Sequence, residues 1–213
     1  MERSINVLER IASSLDRRDE IPNQTLAHDI IQAEDRKAVE ILKDGLYSKE
    51  RAIQNDCIKV LYEIGYKRPD LILNCFEDFI EQLHADNNRL QWGAMIALST
   101  LSRLESNELY KELPAIIKVA EKGSVITKDN AINIMIELGK TSGYRNKVFV
   151  LLIEQLLKSP INQFPKYAEQ TLILVNSSNK VEFVNTVSSR LSDLVKESHI
   201  NRVKKVLRKV HNI

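Results

Sequence analysis

Residues 56–65 read Asp56-Cys57-Ile58-Lys59-Val60-Leu61-Tyr62-Glu63-Ile64-Gly65. Cys57, Val60, Leu61 and Ile64 stand at offsets 0, 3, 4 and 7. That is one stripe of an α-helix, because 3.6 residues per turn bring those positions onto one face. A step of 37 residues carries the stripe to Ala94, Ala97, Leu98 and Leu101, and a second step to Ala131, Ile134, Met135 and Leu138. A third reaches Ala168, Thr171, Leu172 and Val175, and a last copy, two residues early, reads Val203, Val206, Leu207 and Val210. The first position is Cys or Ala in four copies, and a small residue there lets two helix backbones approach closely.

A second stripe recurs between these. Phe79, Ile80 and Leu83 map to Ile116, Ile117 and Ala120, then to Ile153, Glu154 and Leu157, then to Arg190, Leu191 and Leu194. Each unit therefore holds two amphipathic helices. One such pair cannot cover its own apolar stripe, whereas stacked neighbours bury it continuously. The expected fold class is all-α, a right-handed α-solenoid of stacked antiparallel helix pairs with a repeat of about 37 residues. Helices are expected at 2–16, 24–44, 49–65, 69–84, 88–103, 107–122, 127–141, 145–158, 164–176, 179–197 and 200–211. Gly65 and Gly139 directly follow two stripes and read as C-terminal caps. Pro69, Pro160 and Pro165 fall between helices or at helix starts. Thr171–Val175 alone would pass for a strand, but the register overrides it. No linker is visible, so 1–213 reads as one domain: an atypical N-terminal cap over 1–47, repeats over 48–197 and a basic capping helix over 198–213.

Leu113-Pro114-Ala115-Ile116-Ile117-Lys118-Val119-Ala120, followed by Thr127-Lys128-Asp129-Asn130-Ala131 through Gly139, resembles a HEAT repeat of the armadillo-like α-solenoids. Pro114 matches the proline that bends the first helix in that family, and Lys128 stands where the family prefers Arg. The resemblance covers roughly residues 48–213 and concerns architecture; the Arg-type position is Gln54, Gln91 and Pro165 in other copies. It implies a binding surface lined by the second helix of each unit.

Composition bounds the chemistry. The chain is 43% hydrophobic and 28% charged, with six Gly and five Pro, as expected of a globular helical protein. No apolar run approaches the roughly 18 residues that span a bilayer, and the start, Met1-Glu2-Arg3-Ser4, lacks a signal core. A cytoplasmic location is expected, without membrane attachment. Cys57 and Cys75 lie outside any CxxC motif and read as buried thiols. His28, His84, His199 and His211 have no partner at metal-ligand spacing. GxGxxG, GxxxxGK[ST] and GxSxG are absent. The His-Glu dipeptides of HEAT-like iron hydroxylases are absent as well, and the Trp-and-Asp arrangement of HEAT-like alkylation-repair glycosylases is not matched, since Ile96 stands one turn after Trp92. The expectation is a non-enzymatic protein with no cofactor, metal or small-molecule substrate.

What remains is a surface. Offsets either side of the small position give ladders of one residue per unit: Asn55, Trp92, Asp129, Lys166; then Lys59, Ile96, Asn133, Gln170; then Glu63, Thr100, Glu137, Leu174. Trp92, the single Trp, beside Arg89 and Ile96, is the kind of anchor that dominates interfaces. Mixed polarity suits a protein or peptide partner better than phosphate. Charge is uneven: residues 1–110 carry 14 basic and 20 acidic side chains, and residues 111–213 carry 17 and 9. No acid follows Glu197, whereas Arg202, Lys204, Lys205, Arg208 and Lys209 are basic, with Arg202, Lys205 and Lys209 on one side. The leading expectation is therefore a non-enzymatic protein–protein interaction scaffold that holds a protein or peptide along its concave face. The alternative is a nucleic-acid-binding module related to the alkylation-repair glycosylases; a third reading is a regulatory subunit whose acidic and basic ends dock different chains, a dipole that carries a risk of end-to-end self-association.

Overall fold

The computed structural model describes residues 6–213. Those residues form eleven α-helices and five 3-10 segments, and no strand occurs among them. The fold is all-α. No helix among the described residues is long and apolar enough to cross a membrane. The chain divides into two compact units, Met1–Ile134 and Met135–Ile213.

The first unit opens with 3-10 turns Val7–Arg10 and Ser13–Leu15. Then follow α1 (Ile21–Ala33), α2 (Arg36–Gly45), α3 (Arg51–Lys67), a 3-10 segment Pro69–Cys75, α4 (Phe76–Gln82), α5 (Asn88–Leu101) and α6 (Ser106–Lys122). Helix α7 (Val125–Gly139) contains the unit boundary. Helix α3 is central: α1 and α5 flank it, and α2 and the segment Pro69–Cys75 pack against it as well. Its stripe residues Cys57, Val60, Leu61 and Ile64 are wholly buried, as are Ala94, Ala97, Leu98 and Leu101 of α5. Each fully buried Val, Leu or Ile contributes about 1.5–3 kcal/mol, so these two stripes carry much of the unit's stability.

The second unit comprises α8 (Arg145–Lys158), α9 (Phe164–Thr171), a 3-10 turn Leu172–Leu174, α10 (Lys180–Ser189), a 3-10 turn Leu191–Asp193 and α11 (Glu197–Val210). Helix α9 packs on α8 and α11, and α10 packs on α8 and α11. Arg190 closes α8: its guanidinium donates to the Leu156 carbonyl, the Ser159 carbonyl and Ser159 Oγ at 2.8, 2.8 and 3.0 Å, and lies 4.9 Å from the Phe164 ring centre. The carbonyls that a helix end leaves without partners are thereby satisfied.

Several expected boundaries differ. Part of the helix expected at 2–16 lies outside the described residues; the rest is the two 3-10 turns, not one helix. The cause is tertiary. Ala12 N–H donates to Asn23 Oδ1 (2.9 Å) and Ser13 N–H to Asp56 Oδ2 (2.7 Å), so buried side chains take the donors a helix would use. The expected helix 24–44 is broken at Glu34, whose φ of 49° is left-handed, and Asp35 then caps α2 by accepting from Ala38 N–H at 3.0 Å. The expected helix 69–84 is a 3-10 segment followed by α4, and those at 164–176 and 179–197 each shorten to a helix plus a 3-10 turn. Thr171–Val175 is helical and turn-like, as the register required.

Gly65 and Gly139 are not left-handed caps, because no glycine among the described residues has positive φ. They are small because neighbours crowd them: a Cβ at Gly65 would lie 2.3 Å from Thr100 Oγ1, and one at Gly139 would lie 2.4 Å from Leu174 Cδ1. The second stripe holds at Phe79, Leu83, Ile116 and Ala120, but slips at α8, where Leu156 is buried and Leu157 is 51% exposed.

Both thiols are buried, and burial pushes each up to about 12. The thiolate is the reactive form. A thiol reagent at neutral pH is therefore expected to label neither Cys57 nor Cys75 in the native protein, and both after denaturation. Rapid labelling of the native protein would contradict this packing.

Candidate partner-binding site

Lys59, Tyr62, Glu63 and Tyr66 follow one another at helical spacing on α3, and Arg89 and Trp92 stand one turn apart on α5. Packing of α3 on α5 brings the two rows together, and Glu20, just before α1, joins them. Lys59 is only 5% exposed. Its Nζ lies 2.6 Å from Glu63 Oε1 and 2.7 Å from Glu20 Oε2, and 4.8 Å from the Tyr62 ring centre. Burial alone would push this ammonium down; the hydrogen bonds to Glu20 and Glu63 outweigh it, and the net shift is upward.

The other Glu20 oxygen sits 3.5 Å from the Arg89 guanidinium. Arg89 lies 6.0 Å from the Trp92 ring centre, and its buried Nε has no hydrogen-bond partner. Trp92 and Tyr62 rings are 6.2 Å apart, and Tyr62 and Tyr66 meet edge-on at 5.9 Å. Such tilted and edge-on pairs are favourable. Tyr62 is buried while Tyr66 is 56% exposed, and burial raises both phenols. The result is an aromatic patch framed by two cations and two carboxylates.

Asn87 anchors the start of α5 beside it. Its Oδ1 accepts from Arg89 N–H at 3.2 Å, and its Nδ2 donates to Gln54 and Asn55 at 2.8 and 2.9 Å.

Of the residues expected to line a binding surface, the structure brings together Lys59, Glu63, Arg89 and Trp92. Asn55 is held by Asn87, and Ile96 is 6% exposed, part of the core instead of the surface. Asp129 and Asn133 are half-buried on α7; Glu137, half-buried and paired with Lys140, belongs to the second unit together with the half-buried Lys166 and Gln170 on α9. Sequence reasoning missed Glu20, Tyr62 and Tyr66. The four-residue spacing of the tyrosines could have revealed a second stripe on α3. Nothing in the sequence linked Glu20 to Lys59, 39 positions on.

The second unit contains a groove of about 310 Å³ lined by Glu169, Leu172, Arg202, Lys205, Val206 and Lys209. Arg202 grips Glu169 through two hydrogen bonds of 2.9 and 2.7 Å. That contact, with Lys205 and Lys209 nearby, holds the Glu169 carboxyl below its ordinary value. Among the described residues, no group of His, Cys, Asp and Glu is arranged to hold a metal ion.

No protein-family profile matches the sequence, and no curated protein matches it. Solved structures do resemble it. One engineered protein, a Northeast Structural Genomics Consortium target, has a TM-score of 0.63 at 15% identity, over 98% of this chain and 98% of its own. A second engineered target of that consortium has 0.62 at 15%, over 98% and 100%, and a third has 0.61 at 16%, over 97% and 57%. The likeness is one of fold.

Proposed function

We propose that this chain is a non-enzymatic scaffold of the HEAT-like α-solenoid kind, which holds a protein or peptide segment against the aromatic patch of α3 and α5. The solenoid reading is supported by the recurring stripes. Hydrogen bonds that join alternate helices at one sequence separation also support it: Asn23 to Asp56, Asn87 to Gln54, and Arg202 to Glu169 are each 33 residues apart.

One observation carries the binding reading. Trp92, Tyr62 and Tyr66 touch in series, the last of them largely exposed, while the charges around them pair with one another. Aromatic anchors framed by polar groups characterise the energetic centres of protein interfaces. Because the cations already have carboxylate partners, the patch offers contact area, not a row of phosphate-binding charges.

Affinity capture from native lysate, with and without nuclease, tests this reading. The partner is expected to survive nuclease. Tyr66→Ala combined with Trp92→Ala is expected to weaken it by about 2 kcal/mol, roughly thirtyfold. Trp92 is the single Trp, so a shift of its emission on titrating the captured partner would place the contact at the patch. Equal capture by the double variant would remove this surface from the function.

A further inference from the structure

The groove between α9 and α11 has an apolar floor, Leu172 and Val206, and a cationic rim. Arg202 is committed to Glu169. Lys204, Lys205, Arg208 and Lys209 are all exposed on α11. The rim thus presents net positive charge beside apolar surface, and it asks for an occupant that is acidic and partly apolar.

The first unit offers one. Glu77 and Glu81 are exposed on α4. Tyr47, 48% exposed, donates its hydroxyl toward Asp78 Oδ1 and Glu81 Oε2 at 2.8 and 2.9 Å. On α2, Glu40 and Asp44 are outnumbered by Arg36, Lys37 and Lys43, the last paired to Glu40, so the acidic row is that of α4, where Glu77, Asp78 and Glu81 have no cation on their own helix. Glu77 and Glu81 are four residues apart on one helix, and Lys205 and Lys209 are four apart on another. A rise of about 1.5 Å per residue separates both pairs by about 6 Å along their axes, so the two rows match in step.

We propose that two copies of this chain associate through unlike faces, the acidic face of α4 in one copy seating on the α9–α11 groove of the next. Glu77 and Glu81 face Lys205 and Lys209, and the Tyr47 ring supplies apolar contact to Leu172 and Val206. The two faces differ, so the contact is heterologous, and a pair of copies keeps one unoccupied face of each sign. Exposed ion pairs are individually weak and screened by salt; the association is correspondingly weak and salt-sensitive. It is independent of the aromatic patch.

Sedimentation equilibrium tests it. Near about 20 mM salt the average mass is expected to rise with concentration above the 24.4 kDa chain, and at about 300 mM to fall back to one chain, an affinity loss of at least about tenfold. Lys205→Glu with Lys209→Glu, and Glu77→Lys with Glu81→Lys, are each expected to be monomeric at low salt. An equimolar mixture of the two double variants is expected to associate again, because each restores the charge the other reversed. Tyr66→Ala with Trp92→Ala is expected to associate as the wild type does, whatever becomes of its partner capture. The proposal is overturned by a monomeric wild type at low salt, by self-association of either double variant, or by a mixture that stays monomeric. A duplex of about 20 base pairs, bound by a monomeric wild type and released by Lys205→Glu with Lys209→Glu, would assign the face to nucleic acid instead.

Discussion

Gly93→Val is expected to destabilise the first unit by about 3 kcal/mol or more, read as a lower denaturant midpoint. Gly93 lies where α5 crosses α3. A Cβ there would meet Ile58 Cγ1 at 2.7 Å, Cγ2 at 3.0 Å and Cβ at 3.5 Å. Ile58 is wholly buried. The atoms too close are its two γ-carbons, both branching from a Cβ fixed to the α3 backbone, so relief takes an unfavourable χ1 rotation in a packed core or a separation of the two helices. In isolation, replacing a helical glycine would gain up to about 1 kcal/mol of helix propensity; the clash outweighs it. Ile58→Ala alone is expected to cost about 2–5 kcal/mol through its cavity. Introduced together with Gly93→Val it should cost less, since the valine fills part of that space. Strict additivity of the two changes would show that the helices do not meet there.

Asp56→Ala is expected to cost about 3 kcal/mol. Asp56 is 8% exposed. It accepts from Ser13 N–H and from Asn23 Nδ2, both at 2.7 Å, while Asn23 Oδ1 accepts from Ala12 N–H at 2.9 Å. This chain of bonds ties the segment before α1 to α1 and α3. Removing the carboxylate strands two buried donors, each costing about 1–3 kcal/mol. Amide exchange at Ala12 and Ser13 should accelerate more than exchange in the core of α5, because the segment is released first. Asp56→Asn should recover part of the loss, since it keeps one acceptor oxygen. Unchanged exchange at Ala12 and Ser13 would refute the role given to the network.

Both effects show why parts of the molecule were legible in advance and parts were not. The stripe through Cys57, Val60, Leu61 and Ile64 proved wholly buried, and so did its copy on α5. Helical periodicity is a local property, and burial of an apolar stripe follows from it. The fate of polar residues is not local. Lys59 and Ile96 hold the same offset in their copies, and both are buried, one ion-paired and one apolar. Glu20 reaches Lys59 and Arg89 only because α1, α3 and α5 lie side by side. Of the candidate site, Lys59, Glu63, Arg89 and Trp92 were named from the sequence and the spacing of Tyr62 and Tyr66 put them within its reach, whereas Glu20 required the packing.

The sequence by itself determined the helical class, the buried first stripes of α3, α5 and α7 and the burial of both thiols. These depend on hydrophobic spacing along single helices. Only the tertiary structure decided where helices end, which glycines are forced, and which charges meet. Ala12 and Ser13 leave the helical state because Asn23 and Asp56 compete for their N–H groups. Gly65 is small because Thr100 of α5 crowds it. In each case the deciding atom belongs to a distant part of the chain, and no local pattern encodes its position.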